Sequence, residues 1–257
     1  MQLGSQSAPP VLSRDHPLQL LSMDSMASTQ PSPPHDLDGG EALPAPGAIV
    51  GVCEDMCPAA ERERREHLHD IQIFERVDIN DSGRTSAELA VRRFARTIDD
   101  PQPTDFRTRA ALLRTMLYLR SLLDRQDVRF GLVHKFLWDR YRAVRQDLYV
   151  QGITDEFAIA VYEEVVRFHV MCEHELCGED QSVTEMEGFN SHLNIEQMNK
   201  ALISLSDMYE TQAEKGQPVQ SEPEFRAYHL LSLMAQHGKF KGTSRPSSPP
   251  CKRCERK

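Results

Sequence analysis

Apolar residues in this chain recur at intervals of three and four. Val133, Leu137, Tyr141, Val144 and Leu148 form one such series. Phe157, Val161, Val165, Phe168 and Cys172 form a second, and Ile195, Met198, Leu202, Leu205 and Met208 a third. Side chains at these intervals share one face of a helix, whereas a half-buried strand needs alternation. No alternating run of useful length occurs. The pattern predicts an all-α fold of antiparallel helix pairs stacked into a right-handed array.

Local signals mark where the helices begin and end. Asn194 reads as the cap of the third stripe, with Gln197 returning the bond. Ser221, Pro223 and Glu224 read as a capping box ahead of Phe225. Ser86 is placed to cap a helix carrying Arg92, Arg93 and Arg96, which Pro101 and Pro103 end. Residues 1–46 hold eight of the sixteen prolines and read as disordered, because such a segment buries too little apolar surface. The expected organisation is a segment 1–46, a helical domain 47–240 and a basic tail 241–257.

Charge narrows the function classes. The net charge is −9, which opposes bulk attraction to nucleic acid. Residues 84–145 nonetheless carry fourteen basic against seven acidic side chains, and residues 146–240 carry five against seventeen. Such a split offers one pole to an anionic partner and another to a cationic one. Arg92, Arg93, Arg96, Arg142 and Arg145 are the candidate partner or nucleic-acid surface, through guanidinium forks on phosphate. The alternative is pairing within helices, as between Asp139 and Arg142 or from Asp147 back to Arg140 or Arg145. No apolar run approaches the ~18 residues of a membrane helix. No cationic segment leads into an apolar one at the N-terminus, so no secretory signal is expected. The six cysteines then read as reduced intracellular thiols.

The densest unusual stretch is GVCEDMCP, Gly51 to Pro58, where Pro58 sets the first turn of an Arg/Glu-rich helical run reaching Phe74 and Glu75. Cys53 and Cys57 are half of a conceivable zinc set, with His169, Cys172 and Cys177 as the remainder. Zinc favours tight ligand pairs in a closed set of four, and this spacing fits loosely. The competing reading makes these residues small core side chains, and no metal or cofactor is expected. Cys251 and Cys254 form a lone pair in a Pro/Ser-rich basic tail. No G-x-S-x-G, phosphate-binding glycine loop or H-E-x-x-H occurs, so neither an enzyme nor a small-molecule substrate is expected. Ser32 and Ser248 each precede a proline and are candidate phosphorylation sites.

Five ordered blocks resemble the SAC/GANP family, the scaffold domain of messenger-RNA export complexes. Gly51, Cys53, Asp55, Met56, Cys57, Pro58, Phe74 and Glu75 fit its opening signature. Ala90–Leu119, then FLWDRYRAVRQDLYVQ (Phe136–Gln151), then YEEVVRFHVMCEHELC (Tyr162–Cys177) follow in family order. Phe189–Tyr209 and Glu224–Leu231 complete the series. In the third block, D-R-x-R-A-x-R-x-D looks like an internal ion-pair network, which makes Asp139 and Arg140 structural. Cys53, Asp55, Met56, Cys57 and Pro58 are the structural opening motif.

The resemblance implies a TPR/PCI-like helical array followed by a winged helix. After Phe240 the sequence turns polar and proline-rich, so that winged helix is expected to be missing or truncated. Leu230, Leu231, Leu233 and Met234 of the last helix would then form an exposed apolar patch. The resemblance further implies a non-enzymatic scaffold with protein partners, a PCI-type helical protein among them. It is closest to short stand-alone members, linked to centrosome duplication and the mitotic spindle. The alternatives are nuclear messenger-RNA export, with nucleic-acid contact through the basic block, and a zinc-dependent nucleic-acid-binding module. The expected location is the centrosome and spindle, with the nucleus as the alternative.

Overall fold

The computed structural model describes residues 46, 47, 49–78, 83–177 and 189–238. The readings on residues 1–45, Ser32, Ser248, Cys251 and Cys254 lie outside these. Six α-helices occur among the described residues, with no strand longer than an isolated bridge pair. They are α1 (Ala59–His67), α2 (Arg109–Ser121), α3 (Phe130–Val150), α4 (Glu156–Leu176), α5 (Ser191–Glu214) and α6 (Glu222–Gly238). The described residues fall into two compact units that divide between Val219 and Gln220.

In the first unit, α3, α4 and α5 run successively antiparallel. The Tyr141 hydroxyl donates to Glu164 at 3.1 Å, and the His134 ring stacks on Phe168 at 5.8 Å. Advancing along α3 therefore retreats along α4. Across the next pair, Ser191 donates to Glu173 at 2.6 Å, and Tyr209 to Glu163 at 2.8 Å. Each helix buries the stripe read from its sequence. Val133, Leu137, Tyr141, Val144 and Leu148 are all buried, as are the five residues of the α4 stripe. In α5 the stripe is buried from Met198 to Met208, while Ile195 is half-buried.

Two helix starts differ from expectation. Asn190, not Asn194, caps α5, accepting from the Leu193 amide at 3.1 Å. Asn194 lies one turn inside, where its amide donates to the His169 carbonyl at 3.0 Å. Its oxygen faces His169 Nδ1 at 2.7 Å. Oδ1 has no proton, so Nδ1 carries one and the neutral ring keeps its lone pair on Nε2. The run after Pro58 stops at His67 instead of reaching Glu75. His69 reverses the chain at φ 51°, and a short 3₁₀ turn holds Ile73–Glu75.

The larger correction concerns residues 86–97. No helix forms around Arg92, Arg93 and Arg96, and the chain has no regular secondary structure there. The reason lies in where four successive amides donate. Val91 N–H reaches the Glu75 carboxylate at 2.9 Å, and Arg92 N–H the Met56 carbonyl at 2.9 Å. Arg93 N–H reaches Glu61 at 2.9 Å, and Phe94 N–H reaches Asp139 at 3.4 Å. A helix would need these donors for its own carbonyls.

The second unit contains α6. It opens after Ser221 with Pro223 in its first turn, and Glu224 N–H donates to the Ser221 carbonyl at 3.1 Å. Phe225 is buried and meets Tyr228 edge-on at 5.8 Å.

Candidate functional site

Two buried carboxylates organise the amino-terminal half of the first unit. Glu75 accepts from Arg65 Nη1 at 2.9 Å and also from Arg65 Nη2. Arg140 Nη2 adds a third donor at 3.0 Å, and the Val91 amide a fourth at 2.9 Å. Burial alone would raise the Glu75 pKa. The Arg140 and Arg65 guanidinia outweigh that and hold it below the usual carboxylate range.

Asp147 is the second centre. It binds Arg92, the Arg107 Nε at 2.8 Å and the Arg107 backbone amide at 3.1 Å. Beside it, Gln146 accepts from Arg92 at 3.3 Å and donates to the Ala95 carbonyl at 2.7 Å. Gln151 accepts from the Gly51 amide at 2.9 Å and donates to the Arg107 carbonyl at 3.0 Å. One helix, α3, thus supplies Asp139, Arg140, Gln146 and Asp147, and its C-cap supplies Gln151, to hold chain that has no regular structure of its own. The ion pairs of Glu75 and Asp147 run between distant segments of the chain. Asp139 itself binds Arg140, its sequence neighbour.

The opening motif serves the same end. Cys53 N–H donates to the Phe106 carbonyl at 3.0 Å, and Thr108 N–H to the Cys53 carbonyl at 2.8 Å. At Gly51 a Cβ would stand 2.6 Å from the Phe106 oxygen and 2.8 Å from that of Arg107, so only glycine lets the two backbones approach. Met56 and Cys57 are buried. Asp55 pairs with Arg62 of α1 at 3.1 Å, and Pro58 immediately precedes that helix.

These placements revise the proposed basic surface. Arg92 is 3% exposed and Arg145 is 2% exposed, so neither meets a phosphate. Arg92 is taken by Asp147, and Arg145 donates to Gln197 of α5. A charge in such a position needs an internal partner, which explains why both point inward. Arg140 is likewise buried, over the Phe136 ring at 4.5 Å. Arg93 is partly exposed but pairs with Asp70 and lies 4.0 Å from Asp139. Arg142 sits over Phe94 at 3.8 Å and Trp138 at 4.6 Å, a cation held between two aromatic faces. Of the five, Arg96 alone is exposed. Sequence reasoning missed Arg65, Arg107 and the role of Glu75, because their partners lie 10, 40 and 65 positions away, beyond the reach of helical spacing.

The conceivable zinc residues stand in separate surroundings. Cys53 and Cys57 belong to the opening loop, and burial raises both thiols, Cys57 to about 12. His169 is committed to Asn194, and Cys172 is a buried thiol raised by desolvation. Among the described residues, no group of three or more His, Cys, Asp or Glu side chains is placed to hold a metal ion. No helix among them is long and apolar enough to cross a membrane.

The second unit presents a different surface. On α6, Leu230 and Leu231 are each 62% exposed and Met234 is 68% exposed, with Leu233 beside them. This is the largest run of exposed large apolar side chains on one helix among the described residues.

Comparison with known proteins fits this geometry. The sequence is 43% identical over 209 residues to SAC3 family protein B of Arabidopsis thaliana, covering 79% of this chain and 12% of that protein. It is 33% identical to SAC3 family protein 1 of Schizosaccharomyces pombe, covering 79% of this chain and 19% of the relative. It is 34% identical to Protein xmas of Drosophila melanogaster, covering 74% of this chain and 9% of the relative. The chain therefore spans less than a fifth of the length of these relatives. The profile of the SAC3/GANP family matches residues 56–247, which contain the two carboxylate centres and all six helices, and the chain belongs to that family.

Proposed function

We propose that this chain is a non-enzymatic scaffold that docks a helical protein partner of the PCI type and serves centrosome duplication and spindle function in mitosis. The observation that carries the docking reading is the exposed apolar row Leu230, Leu231 and Met234 on α6. A large apolar patch rimmed by polar residues is the usual mark of a protein interface. Asp55 of the opening motif and Asp139, Arg140 and Asp147 of α3 are engaged in holding the fold together, which supports a scaffold over a catalyst. The cell-division setting is supported by the likeness of the five sequence blocks to short stand-alone SAC/GANP members.

Family membership favours a second reading, a scaffold in nuclear messenger-RNA export. Proximity labelling with the tagged full-length chain in dividing cells, combined with imaging, separates the two. Centrosomal neighbours and a spindle-pole signal support the first reading. Export factors and a nuclear signal replace it with the second. In either setting, Leu230→Asp with Met234→Asp should remove the helical partner from the labelled set. Retention of that partner by a folded double variant would sink the docking reading.

A further inference from the structure

The solvent-facing side of α3 carries an aromatic and cationic row that the two carboxylate centres do not use. Lys135, Trp138 and Arg142 stand at intervals of three and four, which puts them on one helix face. Lys135 is exposed, and Trp138 is half-buried. The irregular chain at Phe94 lies along that face. The Phe94 amide donates to Asp139 at 3.4 Å, and the Ala95 carbonyl accepts from Gln146 at 2.7 Å. Half-buried Phe94 is thereby brought against Arg142, and exposed Arg96 follows two residues on. Arg142 Cζ lies 3.8 Å from the Phe94 ring centre and 4.6 Å from that of Trp138. Phenyl, guanidinium and indole thus form a ladder of three flat groups, with Lys135 at one end of the row and Arg96 at the other. Asp139, the carboxylate on this face, is already met by Arg140 and the Phe94 amide.

We propose that this row is a binding site for single-stranded nucleic acid, with Trp138 and Phe94 as stacking platforms and Lys135 and Arg96 as phosphate contacts. Arg142 is the spacer that fixes the two rings, a role that requires no free donor. Its 3.8 Å step to Phe94 is the separation of flat groups in contact, so a base laid on either ring continues the ladder. A duplex hides its base faces in its own stack and gains nothing from the rings, whereas a single strand has them to offer. An acidic polypeptide would use the two cations and leave the rings without a flat partner. The net charge of −9 supplies no general attraction, so affinity has to come from these local groups. The site lies in the first unit and is independent of what α6 docks.

Trp138 is the single tryptophan of the chain, so its fluorescence reads the site directly. Titrating the full chain with single-stranded oligouridylate at low salt should quench it. Trp138→Ala should weaken binding of a labelled oligouridylate roughly 5- to 150-fold, the range for loss of one stacked base, while Trp138→Phe keeps most of it. Arg96→Glu with Lys135→Glu changes two exposed residues, so the fold should persist while binding weakens and its salt dependence flattens. Absence of quenching by oligouridylate would overturn the proposal. Equal affinity for duplex RNA would overturn it too, and so would equal quenching by polyglutamate, which would make the row a surface for acidic protein. If Trp138→Ala fails to fold, the wild-type quenching and the Arg96 and Lys135 double variant decide the matter.

Discussion

Glu75 and Arg140 meet at 3.0 Å although 65 positions separate them, and both side chains are buried. Breaking a buried pair leaves one charge without its counterpart. Arg140→Ala should therefore cost roughly 3–5 kcal/mol in chemical denaturation. The pair also carries a pH signature. The folded Glu75 pKa lies below its unfolded value, so its contribution is present above 4.5 and is lost as pH falls through the folded value. Glu75→Gln should flatten the acid limb of the stability profile.

Two arginines of the basic block should behave oppositely on charge reversal. Arg145→Glu puts a carboxylate into the α3–α5 seam beside Gln197 and should unfold the unit or cost roughly 3–5 kcal/mol. Arg96→Glu changes an exposed side chain and should stay within about 0.5 kcal/mol of wild type. Thermal melts followed by circular dichroism check both. Equal losses at the two positions would contradict the assigned burial.

Gly51→Ala tests the approach of the opening motif to the chain entering α2. The added Cβ meets carbonyl oxygens of Phe106 and Arg107, which are backbone atoms and cannot rotate away. The segments must part, weakening the bonds between Cys53, Phe106 and Thr108. A loss of about 1–3 kcal/mol is expected, read as a lower denaturation midpoint. Hydrogen exchange should show the Cys53 and Thr108 amides less protected.

How much of this was legible in the sequence depends on the range of the interaction. The stripe from Val133 to Leu148 was readable because its spacing is a property of one helix. The irregular course of residues 90–97 was not. Its composition suits a helix, and what overrides that is a set of acceptors on Glu61, Met56, Glu75 and Asp139, scattered over 84 positions of sequence. Asn190 and Asn194 are one helical turn apart, so periodicity allowed either as the cap. The choice was made by His169, which takes the amide of Asn194. The internal network of the Asp139–Asp147 block was foreseeable as a network, but its partners Glu75, Arg92 and Arg107 were not.

Two histidines should make the fold acid-sensitive. Burial lowers the pKa of His134 to about 4 and that of His169 to about 3, both from 6.5. Below 6.5 the unfolded chain takes up protons that the folded chain refuses, so stability is lost as pH falls toward 4. Each histidine contributes a slope of up to about 1.4 kcal/mol per pH unit. Burial raises the Glu164 pKa from 4.5 to about 7, which acts in the opposite sense over part of this window, so the informative comparison is with His134→Leu. Both ring nitrogens of His134 lack hydrogen-bond partners. The leucine variant should therefore match or exceed wild type at pH ~7.5 and lose one proton's worth of slope on acidification. A steeper slope in the variant would contradict this.

The direction of the ties to α3 has a consequence in time. Glu75 leaves the ribosome 65 residues ahead of Arg140, and Arg92 leaves 55 ahead of Asp147. At about 5–20 residues per second, those carboxylate and guanidinium groups wait roughly 3–13 seconds for their counterparts. Through that interval the opening motif has no scaffold to lie on. Synthesis rate across residues 76–147 thus sets how long the nascent chain is exposed to chaperones and proteases before its first half can close.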